Sequence, residues 1–191
     1  METIVQLNSQ AKLSDHLASP SEATFGHSNK LDGSHLSPHF TLGEMTKSSS
    51  HPEVYNIPSH EAIANLKRVC GWLEVLRKRY NYKYGVGEEP IRINSGFRSP
   101  QLNKKIGGVA GSNHLTGCAV DIRVLGMEQL IRYATILLDY ADESKQDFDE
   151  LLIERRSALP LGSSKNRYGA IWLHFAVRPF SNRRKVNIIN A

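Results

Sequence analysis

Between Ser112 and Asp121 the chain reads Ser-Asn-His-Leu-Thr-Gly-Cys-Ala-Val-Asp, and this stretch narrows the possible folds more than any other. It sets His114 and Asp121 seven positions apart, with Gly117 between them. On a continuous helix the two would stand about 10 Å apart along the axis. A zinc ion holds nitrogen and oxygen ligands at about 2.0–2.2 Å, so two donors on one ion lie within about 4 Å of each other. To share a metal, His114 and Asp121 therefore need a chain that turns, and Gly117 is where a turn comes easily. Val120, Ile122 and Val124 then alternate as in a strand, which puts Asp121 on the face opposite the core. The stretch reads as loop, turn and strand presenting two metal ligands.

Around it the hydrophobic pattern places two long helices. One is predicted over 60–80, capped by Ser59, with Ile63, Leu66, Val69, Cys70, Leu73, Leu76 and Tyr80 on its buried face. The other is predicted from Met127 to Asp142, with Leu130, Ile131, Ala134, Leu137, Leu138 and Ala141 inward. Ser99-Pro100 supplies the cap and first-position proline of a short helix that should stop by Gly107-Gly108. Phe40 to Met45 reads as a strand-like or turn-like segment. Strands are expected at Ile91–Ser95, Phe148–Glu154 and Ile171–Val177. In the last of these, Ile171, Leu173, Phe175 and Val177 share one face, and Trp172, His174 and Ala176 share the other. Helices segregated from strands point to an α+β fold.

Residues 1–39 are rich in Ser, His and Asn without a sustained period, and are expected to form a poorly ordered N-terminal arm. Their histidines, His16, His27, His35 and His39, match no compact ligand spacing. Residues 40–178 form the expected domain, and 179–191 a basic C-terminal tail or edge strand. Residues 1–40 carry two basic and four acidic side chains, leaving twenty-two basic and fifteen acidic ones for the remainder. Such a domain favours polyanionic partners, either nucleic acid or the acidic polymers of a cell wall. No nucleic-acid readout motif is recognisable, so nucleic acid is not the expected partner. No membrane span or secretory signal is recognised, and synthesis in the cytoplasm is expected, with action on the wall after release. Cys70 and Cys118 are expected as buried free thiols.

His114, Asp121 and His174 together make two imidazoles and one carboxylate, a donor set that catalytic zinc sites use while leaving a fourth position open. Zinc lowers the pKa of a bound water to about 7. A carboxylate is then needed to take the water proton and deliver it to a leaving amine. Glu154, ending the strand before the loop that leads to His174, is the first candidate, and Glu150, four residues earlier on the same face, is the second. Singly, each residue has an ordinary structural reading: a core histidine, a turn aspartate, a loop histidine, a surface ion-pair glutamate. The spacing of the set is what carries the metal reading.

Ser112-x-His114-x-x-Gly117-x-Ala119-x-Asp121, followed by Trp172-Leu173-His174, resembles the zinc D-Ala-D-Ala carboxypeptidase family. That family includes phage L-alanyl-D-glutamate endopeptidases and shares its fold with the hedgehog signalling domain. Asn94-Ser95-Gly96-Phe97-Arg98-Ser99-Pro100, Leu102-Asn103 and Phe148-Asp149-Glu150-Leu151-Leu152-Ile153-Glu154 match as well, so the resemblance covers 40–178. It implies a small antiparallel sheet with helices packed on one side, and one zinc ion on His114, Asp121 and His174. It also implies that Arg98 and Ser112 lie near the substrate, with Arg98 polarising the scissile carbonyl or holding a carboxylate. The implied substrate is a peptidoglycan stem peptide, cut in carboxypeptidase or endopeptidase fashion, as in a phage lysin. Many members carry an acid three places before the last histidine, where this chain has Ile171; some relatives use a glutamate of the preceding strand, the place of Glu154. Ile171 is the best support for the rival expectation, an inactive zinc-stabilised wall-binding or virion structural domain.

Overall fold

A computed structural model describes residues 34–85, 87–156 and 170–190. Most of the expected arm, and the loop 157–169 with its basic residues, lie outside the described residues. The chain starts as an antiparallel ribbon of β1 (His35–Ser37) and β2 (Phe40–Thr41), followed by α1 (Leu42–Thr46) and the long helix α2 (His60–Tyr84). Next come β3 (Ile93–Ser95), α3 (Pro100–Lys105), a 3-10 turn at Asn113–Thr116 and β4 (Ala119–Arg123). Helix α4 (Met127–Ser144) and the strands β5 (Glu150–Arg156), β6 (Ala170–Ala176) and β7 (Lys185–Asn190) complete the order.

Local chemistry explains where the helices begin. The hydroxyls of Thr41, Ser59 and Ser99 accept from the backbone N–H groups of Glu44, Ala62 and Leu102, satisfying donors that a helix start leaves open. Helix α2 runs past Tyr80 to Tyr84, where the N–H of Gly85 closes it on Tyr80 and Asn81. Phe40 to Met45, expected as strand or turn, divides into β2 and α1. Residues 34–39, expected in the arm, belong to the fold: Leu36 and Ser37 are buried, and the Ser37 hydroxyl donates to Glu74 of α2 at 2.6 Å. In α4 the inward stripe holds Leu130, Tyr133, Leu137 and Ala141, whereas Ile131, expected inward, is 54% exposed. Ile131, about 100° around the helix from Leu130, falls on the exposed side, whereas Ile136 and Leu137 are both buried. The Tyr133 ring meets Tyr80 of α2 edge-on, with centroids 4.8 Å apart.

The main sheet has the strand order β3-β4-β6-β5-β7, antiparallel throughout except for the parallel β5-β7 pair. The parallel edge follows from the path of the chain. β6 ends opposite Glu150 and β7 starts opposite Glu150, so the link 177–184 has only to step across the start of β5. Register divides the sheet into two chemistries. Val120, Ile122, Leu151, Leu173 and Phe175 face one way, are almost completely buried, and form one core with Leu66, Leu73 and Leu76 of α2 and Leu130 and Leu137 of α4. Asp121, His174, Trp172, Glu150 and Glu154 face the other way. The helices thus cover one face, and the polar face is left to the site. Both cysteines are free and buried. Among the described residues no helix is long and apolar enough to cross a membrane.

Candidate metal centre

The turn after Ser112 is built to drop a histidine under the sheet. The Ser112 hydroxyl accepts from the His114 N–H at 3.3 Å, and the Gly117 N–H returns to the His114 carbonyl at 3.2 Å. Gly117 has φ +71°, the left-handed region where a side chain is strained, and a Cβ there would run into the Ala62 carbonyl of α2. Asn65 of α2 holds the same turn, donating to the Thr116 carbonyl at 2.9 Å. His114 is then oriented by the turn after β3. Its Nδ1 lies 2.6 Å from the Gly96 carbonyl, which can only accept, so Nδ1 carries the proton and the Nε2 lone pair is free.

Asp121 of β4 and His174 of β6 are register partners. Together with the turn they bring three donor atoms into one small triangle. His114 Nε2 lies 3.2 Å from Asp121 Oδ1 and 3.3 Å from His174 Nδ1, and His174 Nδ1 lies 2.9 Å from Asp121 Oδ1. Four-coordinate zinc with ligands at about 2.0–2.2 Å spaces its donors by about 3.3–3.6 Å, so the set fits such an ion after small adjustments. All three residues are buried. Burial opposes charge on Asp121, but the two histidines outweigh it and hold the carboxyl well below its usual range. Burial likewise opposes charge on His174, yet Asp121 and Glu150 push its pKa up to about 9, while burial pushes His114 down. A buried carboxylate facing two imidazoles is a place that draws positive charge, which a cation would supply. Among the described residues these three are the group whose donor atoms converge in this way.

The other Asp121 oxygen is taken by Arg98, whose Nη2 donates to Oδ2 while its Nε donates to the Ser95 hydroxyl at 2.8 Å. Arg98, expected beside the substrate, thus reaches the centre through the Asp121 carboxylate. Ser112, expected likewise, is the cap of the turn.

Two glutamates of β5, both candidates from the sequence, flank His174. Glu154 Oε1 stands 3.9 Å from Nδ1, the ring nitrogen that faces the triad. Burial and the nearby Asp121 charge push the Glu154 pKa up. Glu150 Oε2 lies 3.5 Å from Nε2 on the far side of the ring, and His174 together with Lys185 and Arg183 holds its pKa down at about 2. Glu150 thus stands beyond the far nitrogen of the ring, and Glu154 on the side of the triad. The register also accounts for Ile171. β6 is regular from Ala170 to Ala176, so the residue three before His174 faces the core, opposite Arg155. An acid there would miss the site; Glu154, opposite Trp172, faces it.

Behind the triad lies a network that the sequence did not reveal. Asp149, fully buried, accepts from Arg183 through Nε at 2.8 Å and Nη2 at 2.7 Å, and from the amide of Asn113 at 2.8 Å. Arg178 adds a contact at 3.0 Å. Asn113 precedes His114, and Glu150 follows Asp149, so the network braces both sides of the centre. In front, a cavity of about 300 Å³ is lined by Asn94, Asp121, Arg156, Ala170 and Trp172. A larger one, about 910 Å³, runs along α2 and α4 and includes none of the triad.

The Peptidase M15 family model matches residues 38–141 of the chain. Among curated proteins, the zinc D-Ala-D-Ala carboxypeptidase of Streptomyces albus G is 30% identical over 109 residues, which make up 56% of this chain. The match spans 40% of that protein's own length. The family match takes in Arg98, Ser112, His114 and Asp121, and ends before Glu154 and His174. Those two residues stand on the geometry.

Proposed function

The chain belongs to the peptidase M15 family, and from that premise we propose that it is a zinc metallopeptidase cleaving a peptide bond in the stem peptides of bacterial peptidoglycan. The observation that carries this reading is the convergence of His114 Nε2, Asp121 Oδ1 and His174 Nδ1, with the Glu154 carboxylate 3.9 Å from that last atom. His114, Asp121 and His174 would hold the zinc, which when bound would supply Lewis-acid chemistry and a water acidic enough to be used near neutral pH. The Gly96 carbonyl fixes the His114 tautomer, and Glu150 backs the His174 ring. Arg98 holds the other oxygen of Asp121 and keeps the carboxylate aimed. Glu154 accepts the proton of the attacking water at a carboxylate oxygen, then passes it to the leaving amine. Its raised pKa suits both halves of that transfer. The basic character of the domain matches an anionic wall.

Glu154→Gln should keep one zinc per chain and release no new amino groups from purified peptidoglycan, with a loss of at least about 100-fold. Chelation of the unmodified protein should abolish cleavage, and added zinc should restore it. A variant that digests peptidoglycan at the original rate removes Glu154 from this role. Unmodified protein that holds zinc and binds walls without cutting them would point to a wall-binding domain.

A further inference from the structure

Among the described residues the main sheet ends on one side with β3, three residues long, and on the other with the six residues of β7. Natural sheet edges are usually short, bulged, or guarded by charges and prolines, because their unpaired backbone groups invite another strand. β7 reads Lys-Val-Asn-Ile-Ile-Asn, without proline, and its one charge, Lys185, is engaged by Glu150 at 3.3 Å. Val186 and Ile188 stand beside Leu151 and Ile153, on the face that the helices cover elsewhere, yet they are 55% and 65% exposed. Helices α2 and α4 pack over β4 and β6, and the apolar ledge of β7 is left bare. Its backbone is equally open. The Lys185 N–H turns inward, to the Asp149 carbonyl at 3.0 Å. Alternate residues of a strand bond to the same neighbour, so the N–H groups of Val186 and Ile188 turn outward. Ile188 bears this out, because its N–H is met at 2.8 Å by the side-chain oxygen of Asn187, in place of a strand carbonyl.

We propose that β7 is a dimer interface, pairing antiparallel with β7 of a second copy about a two-fold axis at Asn187. Outward backbone groups must meet outward ones, and each face must meet the same face, so even positions pair with even positions. With Asn187 opposite its own counterpart, Val186 of each copy faces Ile188 of the other, apolar against apolar. An axis at Ile188 would instead set Val186 against Asn190. The axis at Asn187 also opposes Lys185 to Ile189, so no two cations meet. The edge is thus complementary to itself in side chains and in backbone groups, which favours a second copy over an unrelated strand. With the axis normal to the sheet, the polar faces of both copies look the same way. The two triads then stand about 24 Å apart across five strand spacings, and both address one surface.

The test uses the full-length protein. Sedimentation equilibrium from about 1 μM to about 100 μM should show a mass that rises to twice that of one chain. Ile188→Lys, a change at an exposed position, should keep a cooperative melt and weaken association by about tenfold or more. Engineered cysteines read the register. The pairing sets the two Asn187 Cα atoms about 4.5 Å apart, within reach of a disulfide, so Asn187→Cys should link two chains under oxidised glutathione. The two Ile189 positions fall four residues out of step, about 14 Å, so Ile189→Cys should not link them. The native thiols of Cys70 and Cys118 are buried and do not compete. A monomer at every concentration, a dimer that Ile188→Lys leaves intact, or equal linking at both positions overturns the pairing. A monomer whose Val186 and Ile188 amides exchange slowly overturns it as well, and would mean that another segment of the same chain covers the edge. None of these outcomes bears on whether the protein cleaves peptidoglycan, which Glu154→Gln tests separately.

Discussion

Two glycines show how much the surroundings decide what a residue is for. Gly71 sits within α2 with nothing close to where a Cβ would be, so there glycine costs helix stability and gives nothing back. Gly117 combines φ +71° with a backbone carbonyl in the place of a Cβ, and it closes the turn that positions His114. The same substitution should therefore act in opposite directions. Gly71→Ala should raise the unfolding free energy by about 0.5–1 kcal/mol. Gly117→Ala should lower it by about 1–3 kcal/mol and weaken zinc binding, since relieving the clash with Ala62 moves the turn that carries a ligand. Urea titrations of the two variants, with zinc binding followed separately, give both answers. Destabilisation by both to the same extent would mean that helix packing, and not the turn, dominates at these positions.

Sheet register turns separate sequence motifs into one centre, and the link 177–184 holds that register at its edge. Asp149 anchors the link through Arg178 and Arg183 and reaches Asn113 on the other side. Burial raises the pKa of its carboxyl, but the Arg183 and Asn113 bonds outweigh burial and leave it lower than in the unfolded chain. A carboxylate with a depressed folded-state pKa stabilises the fold above its unfolded pKa, about 3.9, and that contribution is lost as pH falls through the folded value. Asp149→Asn should cost about 1–3 kcal/mol at pH 7 and progressively less below about pH 4, so that the acid limb of the stability profile flattens. Denaturant midpoints from pH 7 down to pH 3 test this; a constant difference would deny the ion pairs their role. The elements themselves were legible in the sequence where capping and alternation are local, as at Ser59, Ser99 and Ile171–Phe175. His114 and Asp121 stood out in the sequence because Gly117 and the alternation around Asp121 allow a turn that brings them together, whereas His174 was joined to them by its donor type and by the family resemblance. The roles of Glu150 and Asn113, and the parallel β7, were not, because they depend on which residues lie opposite one another in neighbouring strands. The Arg98–Asp121 pair was hidden for the same reason. The alternation of 171–177 already set Ile171 on the face opposite His174, and the regular register of β6 keeps it there.

At the scale of the molecule, the three donors come from a turn seated on α2, a central strand, and a second strand reached only after α4 and β5. Sixty residues separate His114 from His174, so holding both on one ion closes a long loop of chain that an unfolded state would leave open. No comparable site should exist in the unfolded chain, and zinc bound only to the native state stabilises by mass action, about 2.7 kcal/mol at one hundred times the dissociation constant. In a chain of 191 residues each kcal/mol moves the melting temperature by about 2–4 °C, so zinc at that excess should raise Tm by about 5–11 °C and a chelator should take the gain away. His174→Ala breaks the loop closure while leaving α2 and α4 on the buried face, so it should retain a cooperative transition and show little response to zinc. Differential scanning calorimetry with and without zinc, on both proteins, measures the difference directly. A zinc-dependent rise of equal size in His174→Ala would place the ion somewhere other than this triad. A variant that melts without cooperativity in the absence of zinc would show instead that His174 supports the core side of the sheet as well.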